Sequence, residues 1–407
     1  MSAPSVLEHS ASRGVLLKDE AAKGRLYYLD ALRAVAALLV FGVHVYAYWL
    51  QSPIQETHSL TPKGMVLRFL SLGDVGVDLF IVISGFCLAL PLYKRRSRDE
   101  LPRQLKSTAF WKRRAFRILP AYYLTLVLFF GIEQTSAAKY LVAQHPSGLD
   151  LLAHVFLIQS WFNSAIGSIN GPYWSIALEA QLYLLFPLAL VVVRRWGLRW
   201  MLAVQVCLAA VWWIIDILWM HTAASATFGG FLDHELPARW IEFGLGVAAA
   251  RIVTAPKRRD FGTATAATIM GLPLGLAGQF AASPFINALG WGLFFFGVTV
   301  WASRVPSRVQ TDFTAFRALR RLGVISFSFY LVHQPLLLVL NPQNFGAHLP
   351  FWLEMLASIA ACAVVTVVAY GFYRLVERPF LVRSGMRGAI VDPEGVPVPA
   401  PLLTPTI

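Results

Sequence analysis

The sequence predicts an all-α polytopic membrane protein with about ten transmembrane helices and both termini in the cytoplasm. Three observations predict it. Of 407 residues, 57% are apolar and only 14% charged, with a mean hydropathy of +0.58, whereas a soluble domain is about one-quarter charged. The apolar residues gather into ten runs, most near the roughly 20 residues that an α-helix needs to cross about 30 Å of hydrocarbon. The 35 Lys and Arg, which outnumber 22 Asp and Glu and give a net charge of +13, fall unevenly between those runs. A soluble enzyme is excluded on composition. The 28 Phe, 13 Trp and 13 Tyr exclude a polar disordered or fibrous chain. In so apolar a chain the basic excess points to a membrane and not to nucleic acid.

Taken in order, residues 1–26 form a polar cytoplasmic tail carrying Arg13, Lys18, Lys23 and Arg25, without the apolar core of a cleavable signal peptide. The transmembrane body, 27–376, holds apolar runs near 28–50, 76–93, 118–132, 174–193, 199–220, 236–253, 263–280, 285–303, 322–340 and 351–373. The third is short and contains Pro120. The stretch Leu151–Phe162 is also apolar, but its twelve residues include His154 and Gln159. That length fits an interfacial or re-entrant helix better than a span. Residues 377–407 are expected to form a cytoplasmic, Pro-rich disordered tail, with Pro393, Pro397, Pro399, Pro401 and Pro405 near its end. No attached soluble domain and no transporter-like internal repeat is expected. Cys87, Cys207 and Cys362 lie in apolar runs without metal-like spacing and read as small packing residues.

With ten spans, 30 basic residues fall on one side, ten of them between Lys94 and Arg117. The other side holds Lys63, Arg68, Lys139 and Arg239, and Arg33 lies within the first run. That division fixes a cytoplasmic orientation for both termini, and an eleventh span at 151–162 would scramble it.

Ionisable groups inside a bilayer are costly, so each marks a functional candidate. In YYLDALRAVAALLVFGVHVYAYWL, Arg33 and His44 are eleven residues apart. Eleven residues make about three helical turns, which places both on nearly one face about 16 Å apart. Asp30 stands three residues before Arg33 and can pair with it. Alternatively, Arg33 snorkels to the interface and His44 is a helix-packing group. Asp78, in GDVGVDLFIVISGF, is either a site carboxylate or a charge favoured by a helix N-terminus. Glu179, in GPYWSIALEAQLYLLFP with Trp174 and Tyr183 beside it, is either a site residue or a helix–helix hydrogen bond. His333, in LGVISFSFYLVHQPL, is a site residue or a packing position. All three are expected to converge with His44. Arg114 and Arg117, three apart at a helix start, can face one phosphate together, or belong to an ordinary basic cluster.

This distribution has a chemical logic. Cations at the cytoplasmic mouth suit a phosphorylated donor, and a deeper histidine suits proton removal from an attacking hydroxyl. Coenzyme A, with a phosphorylated head and an extended arm ending in a thioester, would reach both zones. A neutral histidine acting as general base contributes about 10²–10⁴-fold, and a nearby carboxylate would fix its tautomer.

The stretches LDALRAVAALLVFGVH, GVDLFIVISGF, FWKRRAFRILPAYY, YWSIALEAQLYLLFPL, LGVISFSFYLVHQPL and YRLVERPFL resemble, in order, those of the membrane acyltransferase 3 family. The resemblance spans about residues 26–382. It implies a ten-helix fold in a bacterial inner membrane and an acyl-CoA donor, usually acetyl-CoA. The implied acceptors are carbohydrate-containing: lipopolysaccharide, other cell-surface polysaccharides or glycolipids, and in some members macrolides. The family's Arg-x10-His motif falls on Arg33 and His44, which implies that His44 is catalytic. Its Arg-x-x-Arg motif falls on Arg114 and Arg117 and implies donor handling. Its Trp-Ser-x-x-x-Glu motif falls on Trp174, Ser175 and Glu179. Ala180 stands where a second Glu is common, so no role of that carboxylate carries over. The extra periplasmic hydrolase-like domain of some members is not expected here.

The resulting expectation is an O-acyltransferase with His44, Glu179 and Asp78 in the chemistry. Arg33, Arg114, Arg117, Asp30, Trp174, Tyr183 and His333 are the substrate-binding candidates, and neither a metal nor a nucleic acid is expected. A small secondary metabolite is the alternative acceptor, and a multi-pass transporter the rival of another class. Two motifs are decoys. His145 and Asp150 match a His-x4-Asp acyltransferase pattern but lie in a turn-rich outer loop. Asp233, His234 and Glu235 are adjacent, which rarely lets three side chains face one metal.

Overall fold

The computed structural model describes residues 26–50, 54–57, 59–94, 105, 107–136, 145–219, 222, 234–255, 260–281, 283–306, 310 and 313–383. The basic residues Arg13, Lys18, Lys23 and Arg25, the tail prolines from Pro393 onward, Lys139 and Asp233 therefore lie outside the described residues. Regular structure among the described residues is helical. Eight helices are long and apolar enough to cross a membrane, and a bent pair makes a ninth.

Helix α1 spans Tyr27–Val45 and continues through a π-helical turn, Tyr46–Leu50. It buries Ala34, Ala37, Phe41 and Val45, the three-and-four spacing of one helix face. After α2 (Pro62–Ser71), capped where the Gly64 amide donates to Thr61 Oγ1, comes α3 (Val75–Lys94). It is apolar on every side and buried nearly throughout, as a helix at the centre of a bundle should be. Helix α4 runs Ser107–Glu133, α5 Gly148–Val155, α6 Tyr173–Trp196 and α7 Leu198–Trp219. They are followed by α8 (Leu236–Thr254), α9 (Asp260–Phe280), α10 (Pro284–Ala302), α11 (Thr314–Val324), α12 (Ser326–Val339) and α13 (Phe351–Phe372). A π-helical turn, Tyr373–Glu377, leads into the short α14 (Arg378–Arg383).

The core is α3 packed on α8, with α1, α10 and α12 around them. At the α3–α8 crossing, Gly85 meets the Phe243 backbone and Gly246 meets the Val82 backbone. A β-carbon at either position would collide, and small residues are what let membrane helices approach so closely. Helices α7, α9 and α13 are peripheral and present Ile214, Leu218, Ile269, Met270, Leu356 and Val367 outward. In water that surface would be an aggregation hazard; against lipid it is the expected boundary.

Three of the expected spans differ in detail. The third is no short segment: α4 begins eleven residues before Ile118. Lys112, Arg113, Arg114 and Arg117 interrupt the apolar pattern without interrupting the helix. The ninth is broken at Ile325, where α11 and α12 meet at 79°. The sixth, α8, falls outside the nine by composition, since it contains Arg239, Glu242 and Arg251. Two of those charges are satisfied inside the protein, as the site shows.

Candidate active site

Helix α1 carries both Arg33 and His44, and its geometry alone separates them by about 16 Å along the axis. His44 Nδ1 lies 2.7 Å from the Val40 carbonyl. A carbonyl only accepts, so Nδ1 carries the proton and Nε2 keeps its lone pair. His333, buried on α12, repeats the arrangement with Nδ1 2.7 Å from the Tyr330 carbonyl. Its free Nε2 stands 3.4 Å from His44 Nδ1, and the rings meet edge to face at 4.9 Å. Tyr48 stacks on His44 at 5.8 Å, and Phe329 stacks on His333 at 6.0 Å. The tautomer of His44 is thus held by a backbone carbonyl and a second histidine, and its basic nitrogen faces away from both.

A cavity lies at the other end. Arg33, Arg117, Ser84, Ser175, Glu179 and Tyr330 line it among apolar side chains. Glu179 accepts from Tyr183, and Ser84 lies 3.3 Å from Glu179 Oε1 and 3.2 Å from the Tyr183 oxygen. Arg114 sits over the rings of Phe110 and Tyr183, 5.7 and 5.6 Å from their centres, a cation–π arrangement. Its buried Nε has no partner among the described residues. Asp30 acts on the Arg33 charge from one turn away. Tyr330 stands between the two ends: it lines the cavity, its hydroxyl is 2.6 Å from Ser175 Oγ, and its ring is 5.4 Å from that of His333.

The remaining candidates form a third cluster. Arg239 of α8 donates to Asp78 at 2.8 Å and to Glu242 at 3.1 Å. Trp174 lies 6.0 Å from the Arg239 guanidinium, with the His234 ring 4.2 Å from its own. Of the carboxylates expected at His44, then, the structure places Asp78 on Arg239 and Glu179 on Tyr183 and Ser84. His333 is the candidate brought to His44.

Arg239, and with it Glu242, escaped the sequence reading because the Asp78 carboxylate that Arg239 meets is 161 residues away; Arg239 was counted only among the four basic residues of the outer side. Glu377 was missed as well. It is buried, accepts from Ser328 at 2.6 Å, and feels the charges of Arg117 and Arg33. The stretch YRLVERPFL contained it but offered no spacing that singled it out. The first decoy resolves plainly. Asp150 caps α5, accepting from the Ser147 amide and hydroxyl and from Ser164. His145 contacts the Glu133 carbonyl. Among the described residues no cluster of three His, Cys, Asp or Glu could hold a metal.

Comparison with known proteins covers nearly the whole chain. Residues 26–374 match the family model described as "Acyltransferase domain". The "Acyltransferase MdmB" of Streptomyces mycarofaciens is 29% identical over 398 residues, covering 93% of this chain and 98% of that one. The "Peptidoglycan O-acetyltransferase OatA" of Listeria monocytogenes is 26% identical, covering 86% of this chain and 55% of its own. An "O-acetyltransferase OatA" of Staphylococcus aureus is 25% identical, with 86% and 56% covered. The chain thus spans about half the length of the OatA proteins. No solved structure matches it.

Proposed function

This chain belongs to the membrane acyltransferase family, and from that premise we propose that it moves an acetyl group from cytoplasmic acetyl-CoA to a hydroxyl of a carbohydrate-containing acceptor. It works in a bacterial inner membrane with both termini cytoplasmic, the orientation that places 30 of its 35 basic residues inside. Its residues fit the donor. Arg33 and Arg117 line the cavity, and the free Nε of Arg114 adds a donor for phosphate oxygens. The pantetheine arm then runs past Glu179 and Tyr330 toward His44.

The observation that carries this reading is the protonation pattern of His44. With the proton fixed on Nδ1 by Val40, Nε2 is the base. It takes the proton of the acceptor hydroxyl as that oxygen attacks the thioester carbonyl. When the tetrahedral intermediate collapses, the C–S bond breaks and the imidazolium returns its proton to the departing thiolate, leaving an ester and free coenzyme A. Glu179, hydrogen-bonded to Tyr183, holds the cavity wall. Asp78, paired with Arg239, holds α3 to α8. The name of the Listeria relative supports a carbohydrate acceptor.

Transfer of labelled acetyl from acetyl-CoA to carbohydrate and macrolide acceptors by the purified protein tests the proposal. His44→Ala is expected to lose about 10²–10⁴-fold in kcat while still being thermally stabilised by acetyl-CoA. Full activity in that variant overturns the mechanism, and substrate uptake without coenzyme A release points to a transporter.

A further inference from the structure

We propose that the end of the cavity nearest the histidine pair is a short-acyl pocket, limited by Val77 and Phe80 of α3 to an acyl group of about two to four carbons; this rests on the function proposed above. The cavity is a slot between α3 and α6. Val77, Phe80 and Ser84 line it from α3, and Ser175, Glu179 and Leu182 from α6. Each set keeps the three-and-four spacing of one helix face, so the slot follows the helices for about 10 Å. Its ends differ. At one, Ser84 bonds to Glu179 at 3.3 Å, and Arg33 reaches Cys87, one turn past Ser84, at 3.8 Å. At the other, the Phe80 ring meets that of Tyr330 edge to face at 5.9 Å, and Tyr330 is the ring beside His333. A polyanionic donor is drawn in at the cationic end, so the tip of its extended arm arrives at Phe80 and Tyr330.

Beyond Val77 the slot stops. Gly76, the residue before it, lies so close to α1 that a β-carbon would fall 2.5 Å from the Ala36 carbonyl oxygen. Backbone packs on backbone there, and no side chain can fold away to lengthen the slot. Across from this stop the wall is Tyr330, whose hydroxyl is 2.6 Å from Ser175 Oγ and donates to the Pro172 carbonyl at 3.2 Å. That wall is shared with the histidine pair. The acyl carbonyl therefore stays on the Tyr330 side, where it reacts, and the acyl tail lodges against Val77 and Phe80.

The size of the cavity sets the limit. It measures about 80 Å³, and at roughly 10–15 Å³ for each water-sized group it admits about five to eight of them. An acetyl thioester with the two carbons next to its sulfur needs about six, a butyryl one about eight and an octanoyl one about twelve. The lining suits such a tail: Val77, Phe80 and Ile176 are apolar, and Arg33 and Glu179 belong to the other end. One face of α3 thus leads the donor from its charged entrance to a fixed stop.

The test is steady-state kinetics on the full-length protein in detergent, with acetyl-, butyryl- and octanoyl-CoA as donors. The acceptors are an N-acetylglucosamine tetrasaccharide, a glucan oligosaccharide and a glycosylated macrolide. With the best acceptor, the wild type is expected to show a kcat/KM at least about tenfold lower for octanoyl-CoA than for acetyl-CoA, a step that even one methylene makes in a tight apolar pocket. Phe80→Ala lengthens the pocket and is expected to raise the octanoyl-to-acetyl ratio about tenfold. Val77→Phe shortens it and is expected to lower the butyryl-to-acetyl ratio by about the same factor. A shift of either ratio in that direction supports the pocket, since loss of folding lowers activity with every donor alike and leaves the ratios where they were. Ratios unchanged in both variants overturn the inference alone, as does a wild type that uses octanoyl-CoA as readily as acetyl-CoA. A wild type that transfers no acyl group from any donor to any acceptor removes the proposed function, and this pocket with it.

Discussion

At the level of Arg33, α1 meets a cavity whose polar wall is ionic: Arg33, Arg117 and Glu179, with Arg114 and Glu377 close behind. Three turns further along, His44 of the same helix meets uncharged groups: the His333 ring, the Tyr48 ring and the Val40 carbonyl. The difference is in what each end selects. Charge attracts a polyanion from a distance but is indifferent to its orientation. A fixed pattern of hydrogen-bond directions does little at a distance but decides which nitrogen is basic and which hydroxyl can approach it.

Substitutions can break or sharpen this contrast, and the largest effect falls outside both ends. Asp78→Ala removes the carboxylate that accepts from Arg239 at 2.8 Å while Glu242 stays at 3.1 Å, and losing a hydrogen bond to a charged group costs about 1.5–3 kcal/mol. The expected result is a large drop in thermal stability in detergent, with kcat preserved in the protein that remains folded. A selective loss of kcat at normal stability would assign Asp78 to the histidine end and dissolve the division. Next, Arg117→Ala is expected to raise acetyl-CoA KM by about 10–100-fold at low salt, and the difference from the wild type should shrink as salt screens the attraction. The double Arg114→Ala, Arg117→Ala variant should bind still more weakly. Unchanged affinity in it removes both from the donor site. Third, His333→Ala frees the His44 ring and is expected to lower kcat about tenfold with acetyl-CoA KM intact. His333→Gln, which retains an acceptor for the His44 N–H, should restore part of it.

The smallest effect concerns the loop between α4 and α6, whose Asn170 donates to the Leu331 carbonyl near the histidine end at 2.9 Å. His154 of α5 is fully buried, and burial lowers its pKa to about 4 from the usual 6.5. A histidine depressed in this way stabilises the fold above pH about 6.5, and that contribution is lost as the pH falls toward about 4. Asp150 on the same helix adds little over that window. Burial alone would raise its carboxyl, but hydrogen bonds from Ser147 and Ser164 bring it below its ordinary range. Melting temperature should therefore drop by a few degrees between pH 7 and pH 5. His154→Gln should flatten that slope, and an unaltered slope refutes the assignment.

Much of this was legible in the chain itself. The all-helical membrane fold follows from run length and composition. Arg33 and His44 were readable because one helix fixes their spacing, and His333 because a lone histidine in an apolar run needs a reason. What one dimension could not show were partnerships between helices far apart in sequence. Glu242 lies in a run already interrupted by Arg239, and nothing local says that both charges close on Asp78. The expectation that Asp78 and Glu179 would serve His44 rested on their shared depth. Depth leaves the rotation of each helix about its own axis undetermined, and rotation turned Glu179 toward Ser84 of α3 and Asp78 toward Arg239 of α8. The first half of α4 was missed for a related reason: a helix whose one face is basic does not register as an apolar run.

The crossing of α3 over α8 at Gly85 and Gly246 bears on how the molecule moves. Where two backbones touch, no side chain lies between them to change rotamer, so the pair can shift only as one stiff body. Access for a long donor must then come from joints filled by side chains, such as the one where Tyr330 and Ser175 connect α12 to α6. The stiff pair is then the frame for any movement at that joint, and collective helix motions of that kind run on the microsecond-to-millisecond scale.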